Sequence, residues 1–248
     1  MNRYIHAFTY VVLLAAITGC VTPPYDPFIL SRSEIYERVD TLAMMPLQFP
    51  DFDRKEEVTA RYEVLITERL EAAGFSVIPA EESSSIMNSF IEQLDGMFDP
   101  ITGQVDKEKR KAVNDHLVQE LDAKYDFDTY IAPKIVIVKA NWSGNSAAWD
   151  GVTESVTGKI GFWASLSNAN MSGTIPAMSL LVVIKDKTES KGYYIGRGGI
   201  QLVSHYGETF TGGFVDIPKS QWFIDEEKDV TAVDIALSAL LNEPEPDK

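Results

Sequence analysis

Cysteine is almost missing from this chain of 248 residues, which has one, Cys20. A lone thiol forms no intramolecular disulfide and builds no cysteine-rich zinc site, so the fold must rest on its hydrophobic core. Histidine is nearly as scarce: His6 lies in the N-terminal apolar stretch, leaving His116 and His205. Positive charge is also short, since 22 Lys and Arg against 37 Asp and Glu give a formal net charge of -15. Such acidity argues against nucleic acid and against electrostatic docking on anionic lipid. After residue 20 no apolar run approaches the roughly 20 residues of a spanning helix. The most apolar, Met178–Ile184, has the length of a strand.

The single cysteine sits in a recognisable setting. Arg3 supplies a positive start, Tyr10–Ile17 an apolar run too short to span a bilayer, and Gly19 a small residue before Cys20. Together these mark a segment removed by processing. The run Ile17-Thr18-Gly19-Cys20 resembles the lipobox of prokaryotic membrane lipoproteins. That resemblance implies cleavage before Cys20 and a covalent diacylglycerol and fatty acyl group on Cys20, with no other cofactor. Each buried methylene contributes about 0.8 kcal/mol, so several acyl chains anchor stably. By resemblance to lipoprotein sorting rules, Val21 instead of Asp after the cysteine implies the periplasmic face of the outer membrane, with the inner membrane or cell surface as alternatives. Arg3 is the only charged residue in 1–19, so removing this segment lowers the formal charge by one, to -16.

With 45% apolar and 24% charged residues, the remainder has the make-up of one globular domain. Residues 20–30 contain Pro23, Pro24 and Pro27 and read as an extended tether. Its reach from Val21 to Leu30 is about 35 Å at roughly 3.5 Å per residue. Residues 31–242 read as a single periplasmic α/β domain, and 243–248 as a frayed tail.

Within the domain, Ser31 and Glu34 form a capping box that opens a short helix through Arg38. Thr41–Leu47 predicts a buried strand with Pro46 near its end. The stripe Val58, Tyr62, Leu65, Ile66, Leu70 and Ala73 predicts a helix over Glu57–Ala73, stopped at Gly74. Phe75–Pro79 completes a βαβ unit. Ile86, Met87, Phe90, Ile91 and Leu94 predict a third helix over Ser83–Leu94, packed on the sheet. Asp106 caps a fourth helix through Lys124, with Val113, Leu117, Leu121 and the Lys124 stem on its apolar side. A strand over Thr129–Ala140 follows. Beyond Trp142 the chain turns to Gly, Ser, Asn and aromatics, with strands expected near Lys159–Leu166, Ala177–Lys185 and Tyr193–Val203 as antiparallel hairpins. Val230, Val233, Leu237, Leu240 and Leu241 form a last helical stripe behind Asp229 as cap. The fold class is α/β, or α+β: a mixed sheet with an N-terminal βαβ unit, packed helices, C-terminal hairpins and a final helix.

This order of elements resembles the periplasmic α/β domain shared by the curli secretion lipoprotein CsgG, the penicillin-binding-protein activator LpoB and the N-terminal domain of TolB. The matching residues are Thr41–Leu47, Val58–Gly74, Phe75–Pro79 and the helix-to-strand passage Leu121–Ile131. The resemblance covers Thr41–Ala140 and the final helix, and implies a binding or assembly role in the cell envelope. A pore of the CsgG kind needs long lipid-facing hairpins, whereas Lys159–Lys185 is interrupted by Asn168, Asn170, Gly173 and Pro176.

Sites for chemistry are few. His116 and Glu120 stand at i,i+4, a spacing open to metal but more simply that of a surface pair flanking the Val113, Leu117 and Leu121 stripe. Gly196-Arg197-Gly198-Gly199 lacks the Lys-Ser/Thr of a phosphate loop and lies in a strand, where a bulge or bend explains it. Acidic pairs such as Asp150 with Glu154, or Asp225 with Glu226 and Glu227, fit glycoside hydrolysis only as any of 37 carboxylates would. The distinctive cluster is aromatic: Trp142, Trp149 and Trp163 beside Asp150 in a Gly/Asn/Ser-rich segment. Such faces suit protein-partner or glycan contact, and alternately a sheet core. No metal and no catalytic residue is expected. The sequence reads as a non-enzymatic, lipid-anchored envelope binding or assembly factor that joins the membrane through its lipid and an unidentified protein partner. A cell-wall glycan-binding module or glycan-processing enzyme using Trp142–Trp163 is the alternative.

Overall fold

The computed structural model describes residues 25–49, 52, 54–98, 102–157, 172–188, 192–206 and 213–242. Cys20, the predicted strand Lys159–Leu166 with Trp163, and the tail from 243 lie outside these residues. Among the described residues, five α-helices and a mixed sheet of parallel and antiparallel strands make an α/β architecture. The helices are α1 (Arg32–Arg38), α2 (Lys55–Ala72), α3 (Ala80–Gln93), α4 (Lys107–Tyr125) and α5 (Glu226–Leu241). The main sheet comprises β1 (Thr41–Met44), β2 (Ser76–Ile78), β3 (Thr129–Ser143), β4 (Ser146–Trp149), β5 (Val152–Ser155), β6 (Ser172–Asp186) and β7 (Gly192–Leu202). A separate ribbon pairs β8 (Ser204–Tyr206) with β9 (Phe214–Asp216).

The sheet is organised by β3, whose 15 residues pair with β6 from Thr129 to Ser143 along one edge. Its other edge is divided. The first residues take parallel β1, which takes parallel β2, and the last three take β4. The βαβ unit β1–α2–β2 is therefore present as its periodicity predicts. Strand β1 stops at Met44, short of the expected Leu47. Pro46 has no N–H to give, and the chain detours before Gln48 donates to the Pro133 carbonyl and accepts from the Ile135 N–H.

At the β1 end the sheet is covered on both faces. Ile35, Val58, Tyr62, Ile66, Leu70, Val233 and Leu237 pack on the face of Ile131, Ile135, Leu180 and Val182, placing α1, α2 and α5 there. Leu117 and Leu121 meet Ala43, Ile78 and Tyr130 on the opposite face, with Ile86 and Met87 of α3 half-buried beside them. At the other end, β4 and β5 curl back until Gly199 N–H of β7 donates to the Asp150 carbonyl (2.9 Å). That closure encloses a small core of Ala140, Trp142, Ala147, Trp149, Ile175, Ala177 and Leu202.

The structure adds a hairpin joining β4 and β5, beyond the strands that the sequence pattern predicts. Asp150-Gly151 takes φ of +37° and +83°, the two positive angles of a primed hairpin turn. Helix α3 begins at Ala80 with Pro79 at the cap position, three residues ahead of its serine-rich start. On α4, Asp106 caps as expected, accepting from the Glu108 and Lys109 N–H groups. Lys124 is exposed instead of packing its stem, and pairs with Glu82 across to α3 (2.7 Å). Helix α5 begins one turn early at Glu226, so Asp229 is no cap but a fully buried residue of its first turn. Part of the expected tether is also body. Tyr25–Leu30 runs along the β7 edge, where Ile29 N–H donates to the Tyr193 carbonyl (2.9 Å) and Ile195 N–H to the Pro27 carbonyl (2.8 Å). An open strand edge attracts such a partner because its N–H and C=O groups are otherwise unpaired.

Candidate functional site

Trp142 and Trp149 are 6% and 7% exposed and line the closed end of the sheet. The Trp149 indole N–H donates to the Met178 carbonyl (3.0 Å), as a buried indole needs. Asp150 occupies the hairpin turn and accepts from the Ser179 hydroxyl (2.6 Å). The structure thus joins these three residues in one packed corner, with the two indoles turned inward and the carboxylate holding β6. It offers the core alternative for both tryptophans, not an open aromatic platform.

The other motifs also resolve into packing. Gly196 and Gly198 face α5 so closely that an added Cβ would sit 1.8 Å from the Ala236 carbonyl oxygen and 1.9 Å from that of Ala232. Ile200 is the extra residue of a bulge, since Ser179 pairs with Gly199 and Met178 with Gln201. His116 stacks on Phe90 at 4.1 Å between ring centres, tying α4 to α3. Among the described residues no group of three or more His, Cys, Asp and Glu is placed to hold a metal.

Among the described residues, charge is buried where the sequence pattern placed only a helix cap. Asp229, with no exposure, accepts from the Tyr62 hydroxyl (2.8 Å) and lies 2.9 Å from Arg61 Nη2. That nitrogen donates its hydrogen bond to the Phe223 carbonyl (3.0 Å), while Nη1 reaches Glu226 (2.8 Å). The arrangement clamps α2 to the start of α5. Burial pushes the Asp229 carboxyl up to about 6, against the opposing pull of the Tyr62 hydrogen bond and Arg61. The same burial raises the Tyr62 phenol well above its usual range.

Clefts on the surface of the described residues include two between secondary-structure elements. One, of about 350 Å³, lies between β5, β7 and α5. Its Glu154 is already committed, pairing with Lys228 and accepting from the Leu202 N–H (3.0 Å). The second, of about 430 Å³, lies between α4 and the end of β6. It is lined by Met45, Leu117 and Val118 together with Lys111, Lys185 and Lys187. Tyr130 stands on its wall, and burial raises that phenol above its ordinary value. Sequence reasoning missed this cleft because its lysines come from α4 and from the strand end some 70 positions later. Only sheet pairing brings these segments together.

Among the described residues no helix is long and apolar enough to cross a membrane. No protein-family model matches the chain, and no curated protein does. Among solved structures, lipoprotein GNA1162 from Neisseria meningitidis aligns over 65% of this chain and 80% of its own, at 13% identity and a TM-score of 0.31. At that TM-score the likeness carries no argument about fold or function.

Proposed function

We propose that this protein is a lipid-anchored, non-enzymatic binding or assembly factor of the cell envelope, working close to the membrane that holds its Cys20 lipid. The observation that supports this reading is the docking of Tyr25–Leu30 on the β7 edge. The Tyr25 hydroxyl donates to the Ile195 carbonyl (2.6 Å), and the Phe28 ring packs edge-on against Tyr194 (5.3 Å). Only Val21–Pro24 then separates the lipidated residue from the folded body. From Cys20 to Tyr25 the chain spans at most about 18 Å, at roughly 3.5 Å per residue. Arg32 extends the same attachment, donating to the Leu240 carbonyl at the end of α5 (2.7 Å). A domain held on so short a lead meets partners at the membrane surface and not across the periplasm.

Cys20→Ser tests the anchor. The variant is expected to lose palmitate labelling and to leave the membrane fraction, with its melting temperature unchanged. Retained labelling would overturn the lipoprotein reading. Crosslinking of the native protein in cells, with the partner identified by mass spectrometry, tests the assembly role; a protein that crosslinks to nothing beyond its own lipid shell refutes it.

A further inference from the structure

We infer that the middle of the sheet face turned away from α5 is a second membrane contact, lying on the lipid surface that holds Cys20; this rests on the anchor reading. Along β3, β6 and β7 the register sets two rows beside each other on this face. One is Ala132, Val183 and Ile195, the other Lys134, Leu181 and Arg197. Alternate residues point to the opposite face. There Leu180 and Val182 have no exposure, and Gly196 and Gly198 press on α5. Ala132, Leu181, Val183 and Ile195 are only half-buried and belong to none of the three cores of the described residues. Cover stops on either side of the two rows. Leu117 and Leu121 of α4 gather on Tyr130, just before the first, and Asp150 holds Ser179, just after the second.

The face is positive in an acidic protein. Strands β3, β6 and β7 carry Lys134, Lys139, Lys185 and Arg197 against one acid, Asp186. That acid stands at the end of β6, accepting from the Thr188 N–H (2.7 Å) and the Tyr193 hydroxyl (2.5 Å). Of the carboxylates bordering the face, Asp150 accepts from the Ser179 hydroxyl and Asp115 pairs with Lys111 (2.5 Å). Lys134 and Arg197 are exposed, with no carboxylate in ion-pair reach among the described residues. Salt screens charges beyond about 8 Å. A bilayer against this face therefore meets its two cations and not the distant acids behind the net charge of -15.

The lead to the lipid also arrives here. Tyr25, 58% exposed, lies with its ring 5.6 Å from the Arg197 guanidinium and its hydroxyl on the Ile195 carbonyl (2.6 Å). Tyr and Arg suit a membrane–water interface, where an apolar body and a polar tip are satisfied together. The acyl chains enter the bilayer at most about 18 Å from Tyr25. A surface tethered so closely meets lipid at high effective concentration, so modest apolar and headgroup contacts are enough to hold it.

Acylation of Cys20 leaves no other thiol, so one introduced cysteine carries one label. Val183→Cys on this face and Val64→Cys, 55% exposed on α2, are each coupled to the fluorophore NBD in the lipidated chain. The chains are reconstituted in vesicles of phosphatidylethanolamine and phosphatidylglycerol, with and without doxyl-labelled lipid. The label at 183 should emit to the blue and be quenched by doxyl lipid severalfold more than the label at 64. Lys134→Gln combined with Arg197→Gln should narrow that difference severalfold. Lys134→Cys, an exposed position of the same face, replaces Val183→Cys if that variant does not fold. Palmitate labelling and flotation are read on the same samples: a chain without lipid overturns the anchor reading and this one with it. In a floating chain, equal quenching at the two positions, or no effect of the double substitution, overturns this inference alone. So does a label at 183 shielded from both doxyl lipid and aqueous iodide, as a second copy seated there would leave it.

Discussion

Replacing Asp229 by Asn probes the buried charge at the α2–α5 seam. In the folded protein the carboxyl holds its proton to about pH 6, against an ordinary value of 3.8, chiefly because it is buried. Below pH 3.8 both the folded and unfolded forms are protonated, and the contribution to stability is fully present. As pH rises, the unfolded chain releases its proton first, so stability is lost through the window from 3.8 to about 6. At 1.36 kcal/mol per pH unit the full loss is about 3 kcal/mol, most of which falls between pH 4 and 7.5. Asp229→Asn keeps an oxygen acceptor for Tyr62 and has no proton to lose.

Urea unfolding of the two proteins at pH 4 and pH 7.5 measures the difference, since every other titrating group is common to both. The groups facing Asp229 are Tyr62 and Arg61 of α2 and Glu226 of α5. Wild type should lose about 2 kcal/mol relative to Asp229→Asn between those pH values, a large part of a typical stability of about 5–15 kcal/mol. A pH-independent difference, or a relative gain by wild type as pH rises, would show that attraction to Arg61 outweighs burial and would refute the reasoning.

Two further substitutions test the packing. Trp149→Ala removes a buried indole and its hydrogen bond to Met178, and should lower stability by about 3–5 kcal/mol in chemical denaturation. A loss under about 1 kcal/mol would mean that the indole is not core. Gly198→Ala puts a methyl 1.9 Å from a helix-backbone oxygen that cannot turn aside. It should cost more than about 3 kcal/mol or prevent soluble expression, whereas a melting temperature equal to wild type would show that α5 does not press on β7 as described.

Elements carried by strong periodicity were legible. The stripe of α2, the Asp106 cap of α4 and the capping box of α1 each stand where local chemistry put them. The misreadings occurred where local signals competed. Asp229 looked like a cap because acidic residues crowd the start of α5, at Glu226, Glu227 and Asp229, and sequence spacing does not say which begins the first turn. The aromatic cluster was open to two interpretations because Trp serves cores and contact surfaces alike. The Asp150-Gly151 turn carries a hairpin signal that lies among many small polar residues with similar turn chemistry.

By itself the sequence determined the helices, the βαβ unit, the mixed α/β class and the exclusion of disulfides, because these depend on residue periodicity and on a count of one cysteine. Only the tertiary structure decided that the proline-rich segment after Tyr25 is an edge partner of β7, that Asp229 is buried against Arg61 and Tyr62, and that Lys185 and Tyr130 share a cleft. Each of these joins residues far apart in the chain, through strand pairing or helix packing. Contacts of that kind depend on how whole faces fit together, which no local pattern records.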